Sequence, residues 1–222
     1  MTKQEVAARI VQTGIVPVVR ASSADQALAA AEAVCAGGVP IVEVAMTVPG
    51  ALEVIAKLAK TVGQEVLLGA GTVLNPASAR RCIDAGAQFL ISPGFDLETV
   101  TFAAGQGVLM IAGALTPTEV ITAWNAGSDL VKVFPCGPVG GASYIKALRA
   151  PLPDIPLVPT GGVNLNTAAD FIRAGAAALG IGGELISAAG LKAGNTRAIT
   201  EAARQYVAIV QEARAGAAVA GK

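Results

Sequence analysis

Short apolar runs alternate with amphipathic segments along most of the chain. The runs consist mainly of Val, Ile, Leu and Ala, which is typical of strands buried on both faces of a parallel sheet. We predict eight strands, at Ile15–Val19, Ile41–Met46, Val66–Val73, Phe89–Pro93, Val108–Gly113, Leu130–Pro135, Leu157–Val163 and Ala178–Gly183.

The segments between the strands carry helix signals. Several open with Pro, or with Ser, Asp or Asn just before the first turn. We predict helices at Gln4–Thr13, Ala24–Cys35, Pro49–Lys60, Pro76–Ala85, Pro117–Ala126, Asn166–Ala174 and Asn195–Ala215. Five Ala-Gly pairs mark helix ends where we expect a left-handed glycine: Ala36-Gly37, Ala85-Gly86, Ala104-Gly105, Ala126-Gly127 and Ala174-Gly175.

Regular alternation of strand and helix predicts a parallel sheet. Eight such units in a chain of 222 residues fit a closed (β/α)₈ TIM barrel better than an open doubly wound sheet. No G-x-G-x-x-G follows the first strand, which disfavours a dinucleotide-binding fold. Because no linker is visible, we expect a single domain over residues 1–222, with an extra helix before the first strand.

Composition narrows the function classes. Hydrophobic residues make up 53% of the chain, charged residues 14%, and the formal net charge is zero. This balance predicts a large core and argues against nucleic acid as a partner. No apolar run reaches the about 18–20 residues that a membrane span needs. The first residues lack the apolar core of a signal peptide, so we expect a cytoplasmic protein without a membrane partner.

The chain contains no histidine. This excludes Ser-His-Asp and Cys-His nucleophile systems and any histidine-ligated metal site. Cys35, Cys82 and Cys136 lie far apart in the sequence and are interpreted as reduced, with Cys136 near a site at most. We therefore expect neither a metal nor a cofactor, and acid–base chemistry from carboxylates, lysine, tyrosine, hydroxyls or water.

Lys132 interrupts an otherwise apolar predicted strand, between Val131 and Val133. A lysine is rarely buried unless it is paired or used, and burial makes its neutral amine available to attack a carbonyl. The structural alternative is a lysine at a strand end whose amine reaches solvent.

Glu43 interrupts another apolar strand in the same way, between Val42 and Val44. It is either a strand-end carboxylate paired with a surface lysine, or a partner of Lys132 inside the barrel. In the second case Glu43, Lys132 and Arg20, which follows the first strand, compensate one another's charge, and the carboxylate moves protons for the amine.

Glycine pairs follow the last two predicted strands, at Gly161-Gly162 and Gly182-Gly183. They serve either tight turns or the phosphate-binding backbone common after strands 7 and 8 of such barrels. A buried lysine, a carboxylate and a phosphate cradle together indicate Schiff-base chemistry on a ketone.

Six motifs resemble those of the class I 2-keto-3-deoxy-6-phosphogluconate (KDPG) aldolases, also described as 4-hydroxy-2-oxoglutarate aldolases. They are Val18-Val-Arg20, Val42-Glu43-Val, Gly69-Ala-Gly-Thr-Val73, Ile91-Ser-Pro-Gly94, Val131-Lys132-Val-Phe-Pro135 and Pro159-Thr-Gly-Gly-Val163. Gly140-Gly-Ala-Ser-Tyr-Ile-Lys146 is also similar, and the resemblance extends from about Ile15 to Gly183.

The resemblance implies a homotrimer of (β/α)₈ subunits that cleaves a small phosphorylated keto acid to pyruvate and glyceraldehyde 3-phosphate. It implies that Lys132 forms the imine and that Glu43 shuttles protons. The substrate-binding residues it implies are Arg20, Thr72, Pro93, Phe134, Thr160, Gly161, Gly162, Gly182 and Gly183.

Two positions depart from the family pattern. Thr47 stands where some members have an arginine, which leaves carboxylate binding to Arg20 and Thr72. Glu184 stands where the family usually offers a serine for the phosphate. A carboxylate there is expected to weaken phosphate binding if it points inward.

Alternative functions remain at this stage. An aldolase for the galactonate epimer or for an unphosphorylated keto acid would use the same lysine. Thr160 favours the gluconate type, because galactonate-type members tend to have valine there. A phosphosugar isomerase or epimerase would share the glycine cradle without needing Lys132, and a non-catalytic binding barrel would form no covalent adduct.

Overall fold

The structure is a computed structural model that describes residues 1–61 and 65–220, with residues 217–220 described by their helical backbone alone. Its strands are β1 (Ile15–Val19), β2 (Ile41–Ala45), β3 (Leu67–Gly71), β4 (Phe89–Ile91), β5 (Leu109–Ala114), β6 (Leu130–Val133), β7 (Leu157–Pro159) and β8 (Leu179–Ile181). All eight predicted strands are confirmed. Most are shorter than predicted at the carboxyl end, because the residues there turn away to form the loops of that face.

The helices are α1 (Lys3–Thr13), α2 (Ala24–Ala36), α3 (Ala51–Thr61), α4 (Pro76–Asp84), α5 (Leu97–Gly105), α6 (Pro117–Asn125), α7 (Ala142–Arg149), α8 (Ala168–Arg173), α9 (Ala188–Lys192) and α10 (Thr196–Ala220). The seven predicted helices are present, with ends shifted by a few residues. A helix end was predicted at Ala104-Gly105, where α5 ends, but no start was predicted for α5 and no helix was predicted at α7 or α9. Helix α5 has Asp96 as its N-cap, accepting from the N–H of Thr99, and this Asp-x-x-Thr spacing was the missed signal.

The strands pair in parallel in the order β7-β6-β5-β4-β3-β2-β1-β8. The two ends of this sheet meet through a single bridge between Thr160 and Gly180, which brings β7 and β8 together. The sheet is therefore a nearly closed barrel surrounded by helices, and the predicted (β/α)₈ fold with its extra N-terminal helix is confirmed. Parallel pairing also places every strand's carboxyl end at one mouth.

The extra helix α1 lies across the opposite mouth. Its first residue, Lys3, forms a salt bridge of 3.0 Å with Asp129, which precedes β6. At its other end, the guanidinium of Arg214 donates to the carbonyl oxygens of Val11 and Gln12, each at 2.7 Å. Helix α1 thus covers the amino ends of the strands, α10 packs on α2 and α8 in the outer ring, and the carboxyl ends stay open.

The glycine ends of the helices agree only in part with prediction. Gly86, Gly127 and Gly175 are left-handed, with φ between 94° and 108°. The predictions for Gly37 and Gly105 were wrong, since neither has a positive φ; the left-handed residues are Gly38 and Gly107, farther along the chain. In both helices the chain continues for one or two residues before it reverses.

Among the described residues, none of the helices is long and apolar enough to cross a membrane. Residues 1–61 and 65–220 also contain no group of three or more His, Cys, Asp or Glu side chains that could hold a metal ion.

Candidate active site

Lys132 lies inside the barrel. Strand β6 pairs it with Gly113 of β5 and with Val158 of β7, and only 4% of its surface is exposed. The alternative of a lysine that reaches solvent from a strand end is therefore wrong. Burial lowers the pKa of the Lys132 amine from its ordinary value of 10.5, the charge of Glu43 opposes this change, and the charge of Arg20 adds to it.

Glu43 is buried more deeply, with 1% of its surface exposed. Its Oε1 atom has no hydrogen-bond partner among the described residues. Burial raises the pKa of the Glu43 carboxyl from 4.5, while the positive charges of Lys132 and Arg20 oppose this change. The two buried groups therefore shift toward their neutral forms, in which an amine can attack and an acid can donate.

The Glu43 side chain occupies the space that a side chain at Gly71 would fill. Gly71 ends β3 beside β2, and a Cβ atom built on it would lie 1.7 Å from Oε1 of Glu43. That separation is far inside van der Waals contact, so no residue larger than glycine fits with Glu43 in this position. Gly71 is consequently the residue that gives the carboxylate its place.

Phe134 lies next to the amine. The Nζ atom of Lys132 is 5.1 Å from the centroid of its ring, within range of a cation–π contact when the amine is protonated. Phe134 follows the last residue of β6 and is half-buried, so one part of its ring faces the amine while another lines the cavity described below.

Strands β4 and β5 are joined at the open mouth by Ser92. Its hydroxyl donates to the carbonyl oxygen of Gly94 at 2.6 Å and accepts from the N–H of Gly113 at 3.2 Å. A Cβ atom at Gly113 would lie 2.2 Å from the carbonyl carbon of Pro93, so the loop after β4 packs directly on β5. This places Pro93 beside the strand that neighbours Lys132.

A cavity of about 210 Å³ opens between the carboxyl ends of β1, β6, β7 and β8. Of the predicted binding residues, seven line it: Arg20, Phe134, Thr160, Gly161, Gly162, Gly182 and Gly183. Thr72 and Pro93 lie in the loops that follow β3 and β4 on the same mouth but do not line this cavity. Thr72 has a φ of 61°, rare for a threonine, which shows that its loop is constrained.

The loops after β7 and β8 present backbone donors to this cavity. Gly161 and Gly162 have φ values of 82° and 84°, a conformation that glycine adopts without strain. In the part of the chain that the structure describes, the N–H groups of Gly162 and Gly183 donate no backbone hydrogen bond. Free amides at a concave surface are suited to binding an anion.

The structure adds cavity residues that sequence reasoning missed. These residues are Val18, Val163 and Gly180, which line the cavity beside Glu184, a residue that the sequence had already indicated. Val18 lies two positions before Arg20, and the two-residue period of a strand was the available signal. The role of Gly71 had no signal in its own identity, because it depends on contact with a side chain of another strand.

The site thus joins a buried amine, a buried carboxyl group and a cavity with free amides at one barrel mouth. A sequence model of the family described as "Aldolase: KDPG and KHG aldolase" matches residues 6–202. The chain belongs to this family. Aldolases of this family are lyases, and the protein is therefore an enzyme of that class.

Named relatives of this KDPG and KHG aldolase family cover most of the chain. The "KHG/KDPG aldolase" of Escherichia coli K12 is 37% identical over 201 residues, covering 89% of this chain and 93% of the relative. The "2-dehydro-3-deoxy-6-phosphogalactonate aldolase" of the same strain is 35% identical, covering 78% of this chain and 85% of the relative. These aldolases are thus similar to the chain over nearly their full length.

A solved aldolase structure is also similar. It is the KDPG aldolase from Legionella pneumophila, described "with pyruvate captured at low pH as a covalent carbinolamine intermediate". Its TM-score is 0.83 at 30% identity, covering 90% of this chain and 96% of that one. The similarity extends over the whole barrel that carries Lys132 and Glu43.

Proposed function

We propose that this aldolase cleaves KDPG to pyruvate and glyceraldehyde 3-phosphate through an imine on Lys132. We further propose that it acts on 4-hydroxy-2-oxoglutarate, and that it needs no metal ion. The observation that carries the proposal is the burial of Lys132 beside Glu43, which lowers the pKa of the amine and raises that of the acid.

The first step forms the imine. The neutral Lys132 amine attacks C2 of the keto acid, and the resulting carbinolamine loses water when its hydroxyl is protonated. Glu43 is placed to supply and then remove protons, either directly or through water, because its Oε1 atom has no other partner. A carboxyl already bound to a fixed donor could not exchange protons as readily.

The second step breaks the C3–C4 bond. Glu43 accepts the proton of the C4 hydroxyl, C4 becomes the carbonyl carbon of the aldehyde, and the electron pair flows from C3 toward the protonated imine. The resulting enamine is protonated at C3, and water then releases pyruvate from Lys132. Glu43 can return to C3 the proton that it takes from the C4 hydroxyl, so the cycle balances without another acid.

The surrounding residues hold the substrate. Arg20 balances the substrate carboxylate or orients Glu43, while Thr72 and Pro93 line the pyruvate end. Phe134 packs beside the imine and Thr160 contacts C4. Gly161, Gly162, Gly182 and Gly183 hold the phosphate, which is supported by the free N–H groups of Gly162 and Gly183.

The relatives support this substrate class without separating its members. One is named for 4-hydroxy-2-oxoglutarate and KDPG, and another for the galactonate epimer. Thr160, with 7% of its surface exposed, is buried at the cavity wall. We propose that its hydroxyl favours the gluconate configuration at C4, and the galactonate epimer is the second candidate substrate.

Reductive trapping tests the proposal. The protein is incubated with pyruvate and borohydride, and the modified peptide is identified by mass spectrometry. We expect one adduct at Lys132, none in Lys132→Met, and an unchanged adduct in Lys146→Met, whose lysine is exposed on α7. Folded protein that saturates with pyruvate but leaves Lys132 unmodified would contradict the Schiff-base mechanism.

We also propose that the chain works as a single domain, in a homotrimer, in the cytoplasm. The trimer rests on the family resemblance, the compartment is the expectation drawn from the sequence, and the single domain rests on the continuous alternation of strands and helices. One unfolding transition and a particle mass of three chains in sedimentation are expected. A monomer with full activity would remove the trimer from the proposal.

A further inference from the structure

The cavity between the carboxyl ends of β1, β6, β7 and β8, here named the distal cavity, contains two side chains of opposite charge. Arg20 and Glu184 both line it, and both are exposed to solvent. Among the described residues neither forms an ion pair, either with the other or with a third group. Glu184 also makes no hydrogen bond there, so its carboxylate remains available to a ligand in the cavity.

The charge of Glu184 also acts on a residue beneath its loop. Tyr206 of α10 is fully buried, and burial together with the charge of Glu184 raises the pKa of its phenol to about 12. The Tyr206 hydroxyl has no hydrogen-bond partner in the described chain. Among the described residues no ion pair neutralises Glu184, although Arg20 lines the same cavity.

A carboxylate at this position opposes the neighbouring amides. The free N–H groups of Gly162 and Gly183 attract an anion, whereas Glu184, next to Gly183, repels one. Toward a hydroxyl the two act together, because amides donate to its oxygen and a carboxylate accepts its proton. The part of the cavity beside Gly183 and Glu184 therefore complements a hydroxyl in full and a phosphate only in part, while Arg20 lies in the same cavity to balance a carboxylate.

We propose that Glu184 is a specificity-determining residue that binds the terminal hydroxyl groups of unphosphorylated 2-keto-3-deoxy sugar acids, and that the enzyme cleaves these acids as a further activity. The inference rests on the proposed aldolase function, since it concerns the far end of the same substrate site. It adds a second substrate class and names the residue that selects between the two.

The reaction on such a substrate is the same bond cleavage. Lys132 forms the imine with C2, the C4 hydroxyl loses its proton, and the C3–C4 bond breaks. The products are pyruvate and glyceraldehyde in place of its phosphate ester. No oxidant, reductant or further reactant is needed, and Glu184 takes part in binding only.

Substitution of Glu184 tests the inference. Wild type, Glu184→Gln and the control Glu212→Gln, an exposed glutamate on α10, are assayed with KDPG and with unphosphorylated 2-keto-3-deoxygluconate. In Glu184→Gln we expect kcat/KM to rise about tenfold for KDPG and to fall about threefold for the unphosphorylated acid, mostly through KM. Glu212→Gln should leave both values unchanged.

Salt provides a second readout. Glu184 is exposed to solvent, so added KCl should screen its repulsion of the KDPG phosphate. The difference in kcat/KM for KDPG between wild type and Glu184→Gln should then become smaller. A change in specificity caused only by altered loop packing would not depend on salt.

The outcomes are distinct. Absence of turnover of the unphosphorylated acid by wild type, or equal effects of Glu184→Gln on both substrates, would overturn the inference while pyruvate trapping at Lys132 still succeeds. Failure of trapping in folded wild type would instead overturn the proposed function itself. A shift in the substrate ratio toward KDPG, lost at high salt, supports the assignment.

Discussion

The two ends of the substrate site are built in opposite ways. At the imine end, Lys132 and Glu43 are side chains on strands, with 4% and 1% of their surfaces exposed. At the distal end, the cavity is lined by glycine-rich loops, whose backbone provides the donors. A change at the first end alters which protons can move, whereas a change at the second alters which molecule fits. Reaction and selectivity are thus separable in this protein.

Glu43→Gln should have the largest effect and should not depend on the distal group. We expect kcat to fall by about 10²–10⁴-fold, typical for a lost general acid–base group. The loss should be equal for phosphorylated and unphosphorylated substrates, because both share the reacting carbons. Steady-state kinetics on both substrates measures this, with the exposed Glu53→Gln as control. Full activity of Glu43→Gln would remove Glu43 from the mechanism.

Gly71→Ala should damage the imine end without touching a reacting atom. The new Cβ atom displaces the Glu43 carboxyl, so we expect kcat to fall by about 10–100-fold and unfolding to become easier by about 1–3 kcal/mol. Gly105→Ala is the matched control, since nothing lies within 4 Å of its added Cβ atom.

A rescue variant separates a positioning role for Gly71 from general damage. Glu43→Asp shortens the side chain by one methylene, so the alanine should cost less in that background than in wild type. Additive losses in the double variant would show that Gly71 does not act through Glu43.

Gly162→Ala should damage only the distal end. Its φ of 84° strains an alanine, and the added Cβ atom would lie 2.6 Å from Cα of Gly137. We expect KM for KDPG to rise about tenfold while adduct formation with pyruvate is unchanged. Gly94→Ala, with open space around the new atom, serves as control. A parallel loss of the pyruvate adduct would mean that the two ends are coupled.

The smallest expected effect is on stability. Because the pKa of Glu43 is raised above 4.5 in the folded protein, the folded chain keeps a proton that the unfolded chain has already released. Wild type should therefore lose stability as pH rises through this window, and Glu43→Gln should not. Urea unfolding between about pH 5 and pH 8 should show the difference in free energy of unfolding between the two proteins growing as pH rises. Parallel stability-versus-pH curves for wild type and Glu43→Gln would show that burial does not raise the pKa of Glu43.

Lys132 changes the pH dependence of stability in the direction opposite to Glu43. Its pKa is lowered below 10.5, so the unfolded chain binds the additional proton and stability rises with pH toward 10.5. Glu43 acts on the acidic side of the profile. On the alkaline side the raised pKa values of Cys82, Cys136 and Tyr206 oppose Lys132, so its contribution is obtained by comparing wild type with Lys132→Met.

The imine end could be predicted from the sequence because a charge between two valines in a strand contradicts its surroundings. Lys132 and Glu43 were found in this way. The eight strands were found because short apolar runs alternate with amphipathic helical segments along the chain. The distal end was less accessible. Barrel closure decides which amides are free and which loops come together. The space beside Gly71 matters only because Glu43, 28 positions away in sequence, fills it.

The start of α5 and the helices α7 and α9 were missed. The period of α5 is weak and α9 has only five residues, whereas α7 is clearly amphipathic and its apolar positions were the overlooked signal. The family resemblance supplied the binding residues, while the geometry supplied the division of the site into two ends.

The seam of the barrel gives this division a mechanical meaning. Strands β7 and β8 are joined by the Thr160–Gly180 bridge, which lies in the wall of the distal cavity. The N–H of Ala177, just before β8, adds a hydrogen bond of 2.9 Å to the carbonyl oxygen of Leu157 in β7. A substrate that spans the cavity contacts both sides of this joint and holds them together. By linkage, a substrate that binds better when the joint is closed stabilises the closed joint, and it binds more tightly where the joint is already stiff. Long substrates should thus slow amide exchange along the seam more than pyruvate does.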